Sequence, residues 1–126
     1  ADDSGICIDA LNGKPGVHSK RFLNSFKNKG ECFKFIINEV KRTKKNKAFF
    51  KTSICLTLDI GHHIVFEGRV DGNIANLPSG YGGFGYDPIF IPKGQSKSFA
   101  KMNIKDKNLL SHRSIAMVKL INFIDN

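Results

Sequence analysis

The sequence contains no apolar run approaching the roughly 20 residues that a membrane-spanning helix needs, so no such helix is expected. No basic stretch followed by an apolar one, the pattern of an export signal, occurs near its first residue. Cysteine is scarce: Cys7, Cys32 and Cys55 stand singly among apolar neighbours, without the spacing of a metal site. Together these absences predict a cytoplasmic protein whose thiols are reduced and buried in the core.

Acidic residues are also few, with 11 Asp and Glu against 20 Lys and Arg, for a formal net charge of +9. The densest basic segment runs from Lys41 to Lys51 and is typical of a solvated helix end followed by a turn. Positive charge of this kind attracts any polyanion, whether a nucleic acid or a nucleoside triphosphate. Since no pattern of a known nucleic-acid-binding fold accompanies it, a basic nucleic-acid module is the less favoured alternative.

The length and patterning of the chain predict one domain of mixed α and β structure over residues 1–126. There is no internal repeat and no low-complexity linker. Apolar residues at three- and four-residue spacing predict helix over 19–42, in two pieces broken near Gly30. Alternating apolar residues predict a β-hairpin made of strands 48–60 and 63–74.

Shorter elements are predicted on either side of the hairpin. Residues 5–11 and 89–91 have the composition of short strands, and 98–102 that of a helical turn. The last segment is predicted as a helix whose N-cap is Ser111. Its predicted apolar stripe consists of Met117, Leu120, Ile121 and Ile124.

The glycine-rich segment 79–88 is the first candidate for a ligand site. Its glycines formally match the dinucleotide-binding fingerprint, but Asp87-Pro88 follows where that fingerprint requires a helix to begin. The loop can instead lie against a flat ligand, with Phe84 and Tyr86 stacked on a base and Asp87 accepting hydrogen bonds. The alternative is a glycine-rich hairpin turn with packed aromatic side chains.

A second candidate is the triplet Ser111-His112-Arg113. If Ser111 caps the last helix, His112 and Arg113 are its first residues, where the helix dipole disfavours cations by about 0.3–1 kcal/mol. A bound anion or ligand oxygen would reverse that balance, because arginine offers a forked donor and histidine a donor or an acceptor. Lys107, just upstream, adds a point charge suited to phosphate. The alternative is an arginine that pairs with a carboxylate elsewhere in the chain.

A third candidate is Asp2-Asp3-Ser4-Gly5, which places two carboxylates at the edge of a strand. Successive side chains of a strand point to opposite faces, so we expect one of the two aspartates to face a site. Carboxylate oxygens suit Mg²⁺, which binds one or two carboxylates together with substrate phosphates. The alternative is an Asx turn or a solvated strand end.

Three blocks of sequence resemble the inosine triphosphate pyrophosphatase family, whose members remove non-standard purine nucleotides. The first block comprises residues 2–6, Asp-Asp-Ser-Gly-Ile, and 11–22, Leu-Asn-Gly-Lys-Pro-Gly-Val-His-Ser-Lys-Arg-Phe. The second is 83–90, Gly-Phe-Gly-Tyr-Asp-Pro-Ile-Phe, and the third is 107–113, Lys-Asn-Leu-Leu-Ser-His-Arg. They occur in the order of the family, and the resemblance covers essentially the whole chain.

The resemblance implies an α/β fold built on an elongated, twisted mixed β-sheet flanked by helices, in a protein that is usually a homodimer. The reaction that it implies is hydrolysis of ITP, dITP or XTP to the monophosphate and pyrophosphate, with Mg²⁺. It also implies that a strand, a phosphate loop of the form Thr/Ser-Asn-Asn-x-x-Lys and a helix with a metal-binding glutamate precede Ala1. We therefore expect the chain to be an N-terminally truncated portion of the domain.

Carried over to this sequence, the family implies that Asp3 is the proton acceptor and a metal contact. The loop before Pro88 would line the base and the sugar. His112 and Arg113 would read the 6-oxo edge of the purine, which favours hypoxanthine and xanthine over adenine because an amino group there would leave these donors unpaired. The substrate-binding set that the resemblance implies is Ser4, Phe84, Gly85, Tyr86, Asp87, Lys107, His112 and Arg113.

One position departs from the family. Lys101 stands where relatives usually carry glutamate, a charge reversal near the nucleotide-facing loops. Together with the absent phosphate loop, this leaves a second hypothesis beside the enzyme. The chain would then be a catalytically impaired remnant that binds purine nucleotides or a complementary chain supplying the lost half.

Overall fold

A long β-hairpin forms the middle of the sheet, and the other elements pack around it. The computed structural model describes residues 2–80 and 85–125, and of Asp2, Asp3 and Leu109 it describes the backbone alone. In chain order, the strands and helices are β1 (Asp2–Ile8), β2 (Lys14–Gly16), α1 (Ser19–Asn24), α2 (Lys29–Thr43), β3 (Lys47–Asp59), β4 (His62–Ile74), β5 (Phe90–Pro92), α3 (Ile104–Leu110) and α4 (His112–Asp125). Short 3-10 helices occur at Asp9–Leu11, Asp87–Ile89 and Phe99–Lys101.

The strands form one sheet in the order β2-β1-β3-β4-β5. The α/β class is confirmed, but where the resemblance implied a mixed sheet, every pairing among the described strands is antiparallel. Ser4 on β1 lies opposite Thr52 on β3, and Thr52 lies opposite Gly68 on β4. This row of three positions crosses the three inner strands of the sheet.

Alternation of buried and exposed residues explains the hairpin. Phe50 and Thr52 on β3, and Val70 and Ile74 on β4, are buried on one face of the sheet. The residues that alternate with them, Lys51, Asp71 and Asn73, are exposed on the other face. A period of two is that of a strand with one face on the core, so the structure confirms the predicted hairpin.

The predicted two-piece helix is present as α1 and α2, but the break lies at residues 25–28 and Gly30 is the second residue of α2. Asn28 caps α2, because its side-chain oxygen accepts a hydrogen bond from the Glu31 backbone N–H at 2.9 Å. Cys32 on this helix is buried, as predicted, whereas Cys7 and Cys55 are only partly buried, contrary to the prediction. Among the helices of the described ranges, none is long and apolar enough to cross a membrane.

Three aromatic rings join the hairpin to the segment that follows the glycine-rich loop. The Phe50 ring lies 4.6 Å from that of Phe90 and 6.0 Å from that of Phe99, measured between centroids. Phe90 and Phe99 are themselves 5.2 Å apart, and both are almost completely buried. Aromatic pairs at these separations stabilise a core beyond the area that they bury. The core therefore extends from β3 to the loops that carry Asp87 and Lys101.

Helix α4 packs directly on the backbone of β4 at Gly68. A Cβ atom at this position would lie 1.9 Å from the His112 carbonyl oxygen and 2.7 Å from the Ala116 nitrogen, so no other residue fits without movement of the helix. Ala116 is the buried residue of α4.

The predicted apolar stripe of α4 is wrong, because most of its residues face outward in this structure. Met117, Ile121 and Ile124 are 46%, 49% and 62% exposed. The prediction failed because the small residues Gly68 and Ala116 determine which face of α4 packs on β4. Large apolar side chains would keep the helix away from the strand.

The contact at Gly68 can be tested by adding one methyl group. We expect Gly68→Ala to lower the free energy of unfolding by about 1–3 kcal/mol, because an overpacked contact between backbones forces the helix to shift. Urea unfolding measures the change. The matched control is Gly30→Ala in α2, where the nearest atom to the added methyl group is the side-chain oxygen of Asn28 at 3.2 Å rather than a packed backbone. Equal stability of the Gly68→Ala protein and the wild type would contradict the assigned contact.

Candidate functional site

The site begins where Ser4 and Arg113, 109 positions apart in sequence, come into contact. The Arg113 Nε–H donates a hydrogen bond to the Ser4 hydroxyl oxygen at 3.2 Å. On its other side, the Ser4 hydroxyl lies 2.9 Å from that of Thr52. Both Ser4 and Arg113 were predicted as site residues, and the structure brings them together. The alternative predicted a carboxylate partner for Arg113; among the described side chains, its partner is this hydroxyl.

The start of α4 is built as the sequence predicted. The Ser111 hydroxyl accepts a hydrogen bond from the Ser114 backbone N–H at 3.1 Å, which is the contact of an N-cap. His112 is the first residue of the helix, and its ring stacks on Phe50 with centroids 4.9 Å apart and planes at 11°. The imidazole is therefore held against the core next to Arg113.

Asp87 and Lys107 form a partly buried ion pair. The Lys107 Nζ lies 2.5 Å from a carboxylate oxygen of Asp87, and the side chains are 19% and 8% exposed respectively. Lys107 also lies 5.7 Å from the centroid of the Phe99 ring. Because water is largely excluded from this ion pair, removing either partner would leave the other charge buried and uncompensated. The pair joins α3 to the 3-10 helix that follows the glycine-rich loop.

Ring contacts connect the ion pair to the start of α4. Lys107 lies over Phe99, Phe99 packs against Phe50, and Phe50 stacks on His112. Arg113 follows His112 and reaches Ser4. Predicted residues from three separate sequence blocks are thus connected by direct contacts.

Tyr86 occupies a different place from the one that the sequence suggested. Its side chain is 4% exposed, and its hydroxyl donates a hydrogen bond to the Ser19 carbonyl oxygen at 2.6 Å. Burial raises the pKa of the phenol above its usual range, so the donor proton is retained. The ring therefore packs in the core, which differs from the stacking on a base suggested above.

Through Ser19, Tyr86 is tied to the strand that carries Ser4. The Ser19 hydroxyl accepts from the Ile6 backbone N–H at 2.9 Å and donates to the Gly16 carbonyl oxygen at 2.5 Å. One buried serine thus joins Tyr86, the end of β2 and β1. This role was missed in the sequence, where Ser19 reads as an ordinary helix start.

Several predicted residues are described in part or not at all. Phe84 lies outside the described residues, and Gly85, which follows it, has a φ of +51° that favours glycine. Asp3 precedes Ser4 in β1 and lies opposite Ser53. Lys101, at the end of a 3-10 helix, is exposed and passes close to Gly80.

The described side chains do not by themselves make a metal site. Within residues 2–80 and 85–125, no group of three or more histidine, cysteine, aspartate or glutamate residues is placed to hold an ion. An ion such as Mg²⁺ can bind through one or two carboxylates plus substrate phosphates, so the candidate from this chain remains Asp3.

Comparison with known proteins identifies the family of this chain. A sequence model described as the Ham1 family matches residues 1–123. The chain belongs to the Ham1 family. This membership confirms the resemblance drawn from the three sequence blocks.

Proteins of the family with known names or structures are similar over nearly the whole chain. The dITP/XTP pyrophosphatase of Porphyromonas gingivalis is 42% identical over 125 residues, covering 98% of this chain and 64% of that protein. That of Thermococcus kodakarensis is 42% identical over 123 residues, covering 98% and 63%. The chain thus spans just under two thirds of the length of these curated relatives.

Two solved structures share the fold. The Ham1 protein of Staphylococcus aureus superposes with a TM-score of 0.87 at 35% identity, covering 99% of this chain and 65% of that one. A HAM1 protein from Coxiella burnetii gives 0.89 at 32% identity, covering 99% and 66%. The sheet and helices described above are therefore those of a Ham1 protein.

The ion pair between Asp87 and Lys107 makes one prediction. We expect Lys107→Met to lower the free energy of unfolding by about 2–3 kcal/mol, because it leaves the Asp87 carboxylate buried without its counter-ion. Urea unfolding measures the change, with Lys105→Met, an exposed lysine of the same helix, as the matched control. Adding Asp87→Asn to Lys107→Met should recover part of the loss. Equal stabilities of the Lys107 and Lys105 variants would show that the pair contributes little.

The buried hydroxyl of Tyr86 makes a second prediction, about alkaline pH. Because the folded protein holds this proton above the usual phenol pKa of 10.0, the contribution to stability is complete below that pH and is lost as the pH rises beyond it. Titration followed by tyrosine absorbance should show a late ionisation, and Tyr86→Phe should remove it. The other tyrosine, Tyr81, is the internal control: if Tyr81→Phe removes the late step instead, the assignment fails.

Proposed function

We propose that this chain is the larger part of a single nucleoside-triphosphate pyrophosphatase domain. Its substrates would be the non-standard purine nucleotides ITP, dITP and XTP, each hydrolysed to the monophosphate and pyrophosphate. The observation that carries the proposal is the contact of Arg113 with Ser4, beside His112, in a chain of the Ham1 family. Two relatives at 42% identity are named dITP/XTP pyrophosphatases.

Base selection is assigned to the start of α4. The Nε–H of Arg113 is directed at Ser4, and the guanidinium has further N–H groups that suit an oxygen acceptor. With His112 beside it, the pair would donate to the 6-oxo group of hypoxanthine or xanthine. Adenine presents an amino group at that position, so the same donors would lose their acceptor. This difference favours inosine and xanthosine nucleotides over ATP.

The ion pair and the glycine-rich loop are assigned to the base, the sugar and the phosphates. We propose that Phe84 stacks on the base, while Gly85 and Tyr86 contribute through their backbone and Asp87 accepts a hydrogen bond. Lys107, which lies against Asp87, would orient that carboxylate and bring positive charge toward the nucleotide.

Hydrolysis is assigned to Asp3. In the proposed reaction its carboxylate accepts the proton of a water molecule that attacks the α-phosphorus, and the bond to the bridging oxygen breaks to release pyrophosphate. Ser4, next in the strand, would bind the substrate. Mg²⁺ held with Asp3 would neutralise phosphate charge when bound.

We further propose that the protein acts in the cytoplasm as a homodimer and does not bind nucleic acid. The outward-facing apolar residues of α4, among them Ile121 and Ile124, are a surface that a second copy could cover. This remains a proposal about assembly, separate from the assignment of the site.

A second candidate function is a catalytically impaired form that binds purine nucleotides or a complementary chain. One feature of the sheet, at the start of β1, supports this second candidate. Strand β2 pairs with β1 from Ile6 to Ile8, and no described strand pairs with residues 2–5 on that side. An open strand edge next to Ser4 would accept a further strand.

One assay separates these possibilities. The purified chain is incubated with Mg²⁺ and either ITP, XTP or ATP, and pyrophosphate release is measured. We expect release from ITP and XTP in preference to ATP, with a decrease of at least about 100-fold in Asp3→Asn, since a lost general base typically costs that much. Asp2→Asn is the matched control and should retain most activity.

The other outcomes are equally informative. Equal release from the wild type and Asp3→Asn would contradict the assignment of the proton acceptor. Binding of ITP without any release, in wild type and variants alike, would support the second candidate. If ITP at millimolar concentration neither binds nor reacts, both candidates are wrong for this chain.

A further inference from the structure

Thr52 is a buried polar residue whose hydroxyl has one hydrogen-bond partner among the described side chains. It lies in the middle of β3 with 0% relative exposure, so it cannot touch a ligand from solvent. Its hydroxyl is 2.9 Å from that of Ser4 on the neighbouring strand. Ser4 in turn receives the Nε–H of Arg113. Three polar side chains from β3, β1 and α4 are thus connected in a row that runs outward from the core.

The packing of β3 does not itself require a hydroxyl at this position. The two preceding residues on the same face are Ala48 and Phe50, both buried and apolar. A valine would have nearly the shape of threonine and would carry no polar atom. Since a buried hydroxyl is unfavourable unless it is hydrogen-bonded, its presence here is explained by what it bonds.

We propose that Thr52 is a positioning residue for the Ser4–Arg113 contact. This inference rests on the proposed function in one respect, the assignment of Ser4 and Arg113 to ligand binding. Either hydroxyl of the Thr52–Ser4 pair can be the donor. In both cases the Ser4 oxygen keeps a lone pair for the Arg113 Nε–H, so Thr52 restricts the rotation of the Ser4 hydroxyl and thereby the placement of the guanidinium.

The position across the sheet from Thr52 acts in the same direction. Gly68 lies opposite Thr52, and the backbone of α4 at His112 packs directly on it. The same row of the sheet therefore determines where α4 begins and where the Ser4 hydroxyl points. The backbone of Arg113 is fixed by α4, and its guanidinium is oriented by the hydrogen bond to the Ser4 oxygen.

The first test needs no ligand. In ¹H–¹⁵N spectra of the whole chain, the Nε–H signal of Arg113 should exchange with water more slowly in the wild type than in Ser4→Ala, where its acceptor is missing. We expect Thr52→Val to shift this signal and to speed its exchange by roughly five- to tenfold, because the Ser4 acceptor loses its contact with Thr52. Thr52→Ser, which keeps the hydroxyl, should restore the wild-type signal. Ser4→Ala should reproduce the effect of Thr52→Val.

The second test asks whether the positioning reaches the nucleotide. ITP affinity should fall about three- to tenfold in Thr52→Val, with urea unfolding recorded in parallel to confirm that each variant is folded. In the Ser4→Ala background, Thr52→Val should have no further effect on affinity, since residues that act through one contact are not additive.

The outcomes distinguish this proposal from the proposed function. An Arg113 signal unchanged by Thr52→Val, or effects of Thr52→Val and Ser4→Ala that simply add, would overturn the positioning role. Should Thr52→Val not fold, Thr52→Ser and Ser4→Ala decide: an Arg113 signal indifferent to Ser4→Ala also overturns it. If the signal responds as expected but no nucleotide binds, the positioning role stands and the nucleotide function is the part that fails.

Discussion

The packing of α4 on Gly68 is the contact on which the rest of this arrangement depends. At this point two backbones approach more closely than any side chain would allow, which fixes the start of the helix against the sheet. That start carries His112 and Arg113, so the same contact determines where these two side chains reach. Arg113 consequently meets Ser4, a residue from the opposite end of the chain.

Positive charge acts in two different ways in this protein. The surplus of basic residues, a net +9, creates a general attraction for polyanions and selects none of them. Around the candidate site, however, the cations have defined partners: Lys107 contacts Asp87, and Arg113 contacts Ser4. A donor held in one direction discriminates between an oxygen and an amino group far better than a mobile charge does. The proposed selectivity therefore resides in these contacts rather than in the net charge.

The predictions that depended on local pattern agree with the structure. Alternation predicted the hairpin, apolar spacing predicted the two-piece helix, and Ser111 was identified as the cap of the last helix. The sequence pattern failed where long-range packing decided the outcome. The exposed residues Met117 and Ile121 were expected to be buried, and Tyr86 was expected to face a ligand, whereas its hydroxyl is bonded inside the core.

By itself, the sequence determined the secondary structure of the long elements, the family and most of the candidate residues, because strand and helix periods and short motifs are local properties. The tertiary structure alone decided which of these residues touch. It paired Asp87 with Lys107, joined Ser4 to Arg113, and gave Thr52 and Ser19 supporting roles that no motif marks. The reason is physical: a hydrogen bond depends on distances of a few tenths of an ångström between strands and helices, and those are set by how the whole core packs.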